Sequence, residues 1–314
     1  MKKIPLMAAL LLLVLLGGCS SAGESGKIRI GLLPIVDSLP FVVAEEKGYF
    51  RAEGVDVELL NFTSAVERDS ALQARAIDGT LGDVLAVASL NQGGVPTRIV
   101  SLGLGETGGE GRFAILAAPG SGITKPEDLK NIPVAVSLNS IIEYITDSLL
   151  LERGFTQEEI KKESIPMIPV RYEMLMNGQI KAACLPDPLA TLAQKKGAVL
   201  VIDDTASNLS QTVIYFRNDF LDRNAKNVAR FMKAYARAVK DIDENPNAYK
   251  STLAEKIKVP PEALAVFEVD HFPLPQMPDK GQLEKVVGWM AAKGLLKKAP
   301  TYEELTRPGF LPAN

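Results

Sequence analysis

Short polar and acidic residues follow several of the apolar segments, where a strand would end and a helix would begin. Hydroxyl, amide and carboxyl groups at such junctions bind ligands through hydrogen bonds, together with the free amides of a helix start. N-capping alone explains Ser38 and Ser64 equally well, and capping with Pro188 at the first helical position is the structural alternative for Asp187. The ligand-binding candidates are Asp37, Ser38, Ser64, Ala65, Gly82, Asp83, Asn139, Ser140 and Asp187.

Acidic residues predominate at these junctions. A cleft lined by them favours a ligand with hydrogen-bond donors, such as an amine or an aminopyrimidine-like heterocycle, over bare nitrate or sulfonate. Helix N-termini hold anions without arginine, so a sulfonate stays open as an alternative. The acids counted are Asp37, Asp83, Asp187 and, in a glycine-rich segment, Glu106.

Arginines and aromatic residues could also contact a ligand. For the arginines, solvated surface charge is the simpler prediction, and for the aromatics core packing at helical spacing is more common. The residues in question are Arg68, Arg112 and Arg171, and Tyr144, Tyr172 and Phe41.

Residues for catalysis or metal binding are few. Two cysteines, Cys19 and Cys184, and the single His271 cannot form a typical zinc site or a nucleophile with its base. The glycine-rich stretches lack a Walker lysine and Rossmann spacing. We therefore expect no catalytic residue, no metal and no cofactor.

Charge and composition describe an ordinary globular protein. The 314 residues are 46% hydrophobic and 23% charged, with a formal net charge of −3. Without residues 1–18, which contain two lysines and no acid, that charge becomes −5. No basic field is available for a phosphate backbone, so nucleic acid is excluded as a partner.

The N-terminus has the pattern of a lipoprotein signal peptide. Two lysines precede an apolar run from Leu6 to Leu16, which is too short to span a bilayer. It ends in Gly-Gly-Cys19, which resembles a bacterial lipobox. The sequence predicts a signal peptide at residues 1–18, a lipid on Cys19 and a flexible tether over residues 19–26. The protein would lie lipid-anchored on the extracytoplasmic side of the cell membrane.

Short apolar runs alternate with amphipathic stretches from Lys27 onwards, which indicates an α/β fold. Residues 165–170 are predicted as a strand and residues 172–177 as a helix. Residues 71–87 align weakly with residues 174–190, which suggests two lobes of similar construction.

Several motifs occur in the order found in one group of binding proteins. The stretch Glu46 to Leu59, with Gly48-Tyr49-Phe50 and Gly54-Val55, resembles the end of the first helix in ABC-transporter solute-binding proteins for nitrate, sulfonate, taurine and pyrimidine precursors. The resemblance extends over nearly all of the chain after the tether. The further stretches are 122–130, Gly154-Phe155, Asn177-Gly178-Gln179, Asp187-Pro188 and 227–246.

This resemblance implies a type II periplasmic-binding-protein fold, the Venus flytrap, in which two α/β lobes are joined by two crossover strands. Residues 27–112 and 217–314 would form lobe 1, and residues 113–216 lobe 2. The crossings are expected near residues 112–117 and 212–216.

The resemblance also implies a function. The chain would be the solute-binding component of an ABC importer, capturing a small organic metabolite between its lobes and delivering it to a permease and ATPase complex, as a monomer. Two alternatives stay open. One is an enzyme of the same fold, of the pyrimidine-precursor or menaquinone-pathway type, although these act inside the cell. The other is a ligand-sensing subunit.

Overall fold

A computed structural model describes residues 26–209, 211–269 and 271–312. Strands and helices alternate through most of this part of the chain and form two lobes, each around its own sheet. The predicted α/β class and the two-lobed arrangement are therefore confirmed. The signal peptide, Cys19 and nearly all of the predicted tether lie outside the described residues.

Lobe 1 is built on a sheet with the strand order β2-β1-β3-β10-β4. Strand β1 pairs in parallel with β2 and β3, and β10 runs antiparallel between β3 and β4. The carboxyl ends of β1 and β3 therefore share one edge with the start of β10. The elements are β1 Ile28–Leu32, α1 Leu39–Glu46, α2 Tyr49–Ala52, β2 Val57–Asn61, α3 Ala65–Gln73, β3 Gly79–Asp83, α4 Val84–Gln92, β4 Thr97–Leu104 and β10 Thr212–Arg217.

Lobe 2 repeats this plan with the strand order β7-β6-β8-β5-β9. Strand β6 pairs in parallel with β7 and β8, and β5 runs antiparallel to β8 and β9. Its elements are β5 Phe113–Ala117, β6 Pro133–Val136, α5 Ile141–Glu152, β7 Lys161–Ser164, α6 Ile168–Met176, β8 Ala182–Pro186, α7 Leu189–Lys195 and β9 Val199–Asp203.

The weak internal repeat corresponds to equivalent structure. Helix α3 and strand β3 match α6 and β8 in length, order and strand position, with residue numbers that differ by 103. The alignment of residues 71–87 with 174–190 uses the same difference. The repeat therefore identifies equivalent positions in the two lobes.

Two connections join the lobes, one from β4 to β5 and one from β9 to β10. They pack side by side, since the Gln211 side chain donates to the Gly105 carbonyl at 3.2 Å. Because β10 pairs within the lobe 1 sheet, the second connection precedes Thr212 and does not run along residues 212–216. Likewise, β5 pairs within the lobe 2 sheet, so the first connection ends at Arg112.

Two predicted elements differ in the structure. Residues 165–170 do not form a strand, because Pro166 and Pro169 lack the amide donors that a ladder needs and Pro169 instead lies in the first turn of α6. The helix that the apolar pattern predicts over residues 38–51 is divided at Gly48, which has a left-handed backbone with φ of 70°. Both differences arise from the backbone properties of proline and glycine, which a pattern of apolar residues does not reveal.

The C-terminal segment packs mainly on lobe 1. Helix α8 packs on α1 and α2, where Phe231 and Tyr235 contact Phe41, and α11 packs on α4. Helix α8 has a break at Asn224. The segment contains α8 Asn218–Glu244, α9 Lys250–Glu255, α10 Pro261–Leu264, α11 Lys280–Ala292 and α12 Tyr302–Leu305.

Candidate functional site

A cavity lies between the two lobes, where the carboxyl ends of the parallel strands meet. Its empty volume is about 480 Å³, counted to its open mouth. Both lobes contribute to its wall, which is mostly aliphatic. The lining residues are Leu33, Ile35, Ala65, Arg68, Gly82, Asp83, Phe113, Ser137, Ser140, Ile141, Ile142, Pro166, Ile168, Pro186 and Thr212.

Arg68 provides positive charge on the lobe 1 side. Its side chain is 1% exposed, with Nη1 donating to the Leu81 carbonyl at 3.0 Å and Nε to Asp69 Oδ1 at 2.9 Å. Its Nη2 lies 2.8 Å from the same Asp69 oxygen and has no hydrogen-bond partner among the described residues. Gly82 is required here, since an added Cβ would lie 2.8 Å from Arg68 Nη1.

Asp83 connects the two lobes across the cavity. It caps α4 by accepting the Ala86 amide at 2.8 Å, and it lies near the backbone amide of Ile141 at the start of α5. Burial raises the pKa of the Asp83 carboxyl, although nearby Arg68 opposes this rise. Asp83 therefore lies at the junction of the two lobes.

Ser137 and Ser140 form the polar wall of lobe 2. Ser140 caps α5, accepting the Ile142 amide at 3.3 Å and donating to the Ser137 carbonyl at 2.6 Å. The Ser137 hydroxyl is buried and has no hydrogen-bond partner among the described residues. Sequence reasoning missed Ser137, which was predicted only as the last residue of a strand. It is free to contact a ligand.

Four of the predicted ligand-binding residues line the cavity: Ala65, Gly82, Asp83 and Ser140. Three others have side chains engaged nearby, and in a fourth, Asn139, the backbone amide is engaged. Asp37 accepts from Thr212 Oγ1 at 2.8 Å, Ser38 donates to the Leu33 carbonyl at 2.8 Å, and Ser64 caps α3. Asn139 has a left-handed backbone with φ of 56°, and its amide donates to Glu143.

The remaining predicted residue, Asp187, interacts with Arg112. Its Oδ2 accepts from Arg112 Nε at 2.8 Å, and its Oδ1 accepts the Thr191 amide at 2.8 Å. Arg112 also binds Asp203. The ion pair therefore holds the end of the first connection against α7. Among the four acids counted from the sequence, Asp83 is the one that lines the described cavity, and Glu106 is exposed in the first connection, where its backbone amide donates to Glu110.

The three arginines predicted as surface charges are buried or mostly buried. Arg171 is 0% exposed, with Nε donating to the Cys184 carbonyl at 2.9 Å and Nη1 to the Ile165 carbonyl at 2.6 Å. It holds the segment before Pro166, which lines the cavity. Extending the internal repeat by three residues at its start was the available signal, because it then aligns Arg68 with Arg171, and the repeat itself aligns Leu81 with Cys184.

The aromatic residues considered for stacking lie outside the lining. Tyr144 packs edge-on against Trp289, with ring centroids 5.6 Å apart, and Phe41 packs on Tyr235. Tyr172 is buried in the core. The aromatic residue in the cavity wall is Phe113, so the described wall offers one ring and many aliphatic groups.

A charged cluster connects lobe 2 to the C-terminal segment outside the cavity. Lys293 Nζ lies 2.5 Å from Glu143 Oε1 and 3.2 Å from Asp147 Oδ2, and Trp289 Nε1 donates to the same Asp147 oxygen at 3.3 Å. Glu143 also accepts the Asn139 amide at 2.7 Å. The cluster thus holds the turn that enters the cavity.

Groups for other chemistry are limited in the part of the chain that the structure describes. There, no group of histidine, cysteine and acidic residues could hold a metal ion, and no helix is long and apolar enough to cross a membrane. Burial raises the pKa of the Cys184 thiol to about 12, so this cysteine is a weak nucleophile. His271 is exposed and lies 3.1 Å from Asp243.

Comparison with protein families finds a match that extends over both lobes and their shared cavity. A family model described as NMT1/THI5 like matches residues 36–249, which include both connections between the lobes. The chain belongs to the NMT1/THI5-like family. A comparison of this NMT1/THI5-like protein with curated proteins finds no match.

Solved structures share its fold at low sequence identity. The alkanesulfonate-binding protein SsuA from Xanthomonas axonopodis pv. citri, bound to MOPS, is 18% identical with a TM-score of 0.77 over 91% of this chain and 100% of that chain. The periplasmic nitrate-binding protein NrtA from Synechocystis PCC 6803 is 16% identical with a TM-score of 0.69, over 90% and 86%. The desulfurization enzyme DSZB is 16% identical with a TM-score of 0.67, over 90% and 97%.

These similarities confirm the periplasmic-binding-protein fold of this NMT1/THI5-like protein. Two of the three structures are solute-binding proteins and one is an enzyme, so the fold by itself admits both functions.

Proposed function

We propose that this protein is the lipid-anchored solute-binding component of an ABC importer. It captures a small organic solute between its lobes and delivers the solute to a permease. The observation that carries the proposal is the cavity itself, because both lobes line it and Asp83 of lobe 1 lies near the Ile141 amide of lobe 2. Ligand contacts to both lobes favour the closed state over the open state.

The ligand has a short apolar body and a group that accepts hydrogen bonds. Aliphatic side chains such as Ile141, Ile142 and Ile168 make up most of the wall, and they favour an alkyl or ring carbon skeleton. The free Ser137 hydroxyl and buried Arg68 favour an anionic acceptor such as a sulfonate. The alkanesulfonate-binding structures of the same fold support this choice.

The prediction of an amine-bearing or pyrimidine-like ligand loses its main support. It relied on four acids at the cavity, but Asp37 and Asp187 are engaged elsewhere and Glu106 lies outside the lining, while Asp83 already accepts the Ala86 amide. These compounds belong in the test as the competing ligand class.

A thermal-shift screen tests the binding proposal. The described fold begins at Gly26, so a chain from Ser20 contains all of it. We expect an alkanesulfonate at 100 times its dissociation constant to stabilise this chain by about 2.7 kcal/mol. Ser137→Ala should weaken binding about tenfold, because it removes a hydrogen bond to a charged group. Ser89→Ala, an exposed serine on α4, is the matched control.

The outcome also separates the proposal from its alternatives. An amine or pyrimidine that binds in place of a sulfonate would overturn the ligand class and leave the receptor standing. A compound that is consumed during incubation would favour an enzyme, which the shared fold of DSZB keeps as the second candidate. A compound recovered unchanged agrees with a receptor.

Lipid anchoring is tested on Cys19. The full chain should be cleaved before Cys19 and should partition into a detergent phase, with an intact mass that includes acyl chains. Cys19→Ala should stay uncleaved or appear in the aqueous phase. A full chain recovered without acyl chains, or cleavage and acylation that persist in Cys19→Ala, would contradict the anchor without affecting the cavity.

A further inference from the structure

A second pocket lies at the opposite edge of the lobe 1 sheet from the ligand cavity. It is placed where β10 ends and α8 begins, beside the turn that follows α4. Its empty volume is about 530 Å³, counted to its open mouth. The lining residues are Gln73, Arg75, Gly94, Val95, Pro96, Arg217, Asn218, Asp219 and Asp222.

Arg217 is the buried charge of this pocket. It is 4% exposed, and its Nη2 donates to Asp78 Oδ1 at 2.8 Å. Its Nε and Nη1 atoms make no hydrogen bond among the described residues, and the nearest Asp219 oxygen is 3.9 Å from Nε. Two donors of a buried guanidinium group are therefore available for an acceptor in the pocket.

Positive charge exceeds negative charge around Arg217. Arg29 and Arg217 both bind Asp78 Oδ1 at 2.8 Å, and Arg75 and Arg223 both bind Asp219 Oδ2, at 2.6 and 2.9 Å. Four guanidinium groups thus share two carboxylates. The other acid of the pocket, Asp222, pairs with Arg307. The remaining positive charge is uncompensated in a protein whose net charge is −3.

We propose that this pocket binds a phosphate group through Arg217 and Arg75. A tetrahedral oxyanion can accept hydrogen bonds from both guanidinium groups and supplies the missing negative charge. The chemistry is shared by free phosphate and by the headgroup of an anionic lipid.

The position of the pocket favours the lipid headgroup as the source. Gly26 lies beside α8, since an added Cβ on it would be 3.6 Å from Asn224 Oδ1. The eight residues from Cys19 to Gly26 span at most about 28 Å when extended, so a lipid on Cys19 would keep the pocket near the membrane surface. This step rests on the proposed anchor, whereas phosphate binding itself does not.

The experiment uses the unlipidated chain from Ser20 in phosphate-free buffer. Sodium phosphate should raise Tm by several degrees above sodium chloride at equal ionic strength. Arg75→Asn should lose most of this shift, and it should fold normally, because Arg75 is 65% exposed and asparagine tolerates its backbone φ of 60°. Arg230→Gln, an exposed arginine further along α8, should keep the whole shift.

A vesicle-binding experiment distinguishes free phosphate from the headgroup of an anionic lipid. The same chain should sediment with phosphatidylglycerol vesicles and not with phosphatidylcholine vesicles, and Arg75→Asn should reduce this binding at least fivefold relative to Arg230→Gln. A thermal shift without vesicle binding would support the phosphate site and overturn the lipid source. Equal responses of both variants, or no phosphate effect on the unsubstituted chain, would overturn the site. No cavity ligand is added, so this result is independent of the solute proposal.

Discussion

Arg68 in lobe 1 and Arg171 in lobe 2 occupy equivalent positions, and both donate to the carbonyl of the equivalent strand residue, Leu81 or Cys184. Their surroundings differ. Arg68 is followed by Asp69, which accepts its Nε, whereas Arg171 is followed by Tyr172 and bonds only backbone carbonyls among the described residues. Burial lowers the pKa of Arg171 to about 10.

This difference shows how one repeated position serves two purposes. In lobe 1 the guanidinium group has a carboxylate partner and forms part of the cavity wall. In lobe 2 the charge stays behind the wall, where it holds the backbone at Ile165. The shared fold fixes the place of the side chain, and one neighbouring residue changes what the charge can do.

The largest expected effect distinguishes these two roles through stability. Arg171→Met should lower the free energy of unfolding by about 3 kcal/mol, because two buried carbonyls lose their donors. Arg68→Met should cost only about 1 kcal/mol, because one carbonyl loses its donor and the partly exposed Asp69 can be hydrated. Urea unfolding of both variants measures the two values. If Arg171→Met were neutral or stabilising, the cost of the buried charge would outweigh its hydrogen bonds.

The second prediction concerns an acid in lobe 1 where lobe 2 has a neutral residue. Burial raises the pKa of Asp37 from 3.8 to about 6, and the helix start of lobe 2 has Asn139 and Ser140 instead. The stabilising contribution of protonated Asp37 is complete below pH 3.8 and is lost as pH rises through about 6. At about 1.4 kcal/mol per pKa unit, this loss is about 3 kcal/mol.

Asp37→Asn should remove that pH dependence. Between pH 4 and pH 7.5, the unsubstituted chain should lose about 3 kcal/mol of stability that the variant keeps, which urea unfolding at both pH values measures. Asp56→Asn, at an exposed acid that precedes β2, provides the control. Parallel pH profiles for the unsubstituted chain and Asp37→Asn would contradict the raised pKa.

The smallest expected effect compares the N-caps of the two lobes. Ser64→Ala and Ser140→Ala should each cost about 1 kcal/mol, because each serine accepts one amide of the first helical turn. Only Ser140→Ala should also weaken ligand binding, since Ser140 lines the cavity and Ser64 does not. Calorimetric titration with the ligand found in the screen checks this. Equal losses of affinity would mean that Ser140 acts through helix stability alone.

Much of the fold could be predicted from the sequence. Alternating elements and the motif around Gly48-Tyr49-Phe50 are local patterns, and they identified the α/β lobes and the family fold. The order of strands in the sheets could not be derived from local patterning. The assignment of β10 to lobe 1 depends on pairing with β3 and β4, which are distant in sequence.

The candidate site was only partly predictable, for a physical reason. Junctions between strands and helices predict which segments of the backbone reach the cavity, and Gly82, Asp83 and Ser140 were identified in this way. Which way a side chain points depends on its partners. Asp187 turns to Arg112, which comes from a different part of the chain. Ser137 was missed because a buried serine at a strand end carries no sequence signal of being unpaired.

Strand β10 has a consequence for the order in which the two lobes can fold during synthesis. It lies between β3 and β4, yet residues 105–211 intervene between β4 and β10. A chain that leaves the ribosome or a membrane pore from its N-terminus can complete the contiguous lobe 2 sheet first, while β3 and β4 wait for their shared partner. Lobe 1 therefore stays incomplete until Arg217 has emerged, which makes it the later of the two lobes to complete its sheet.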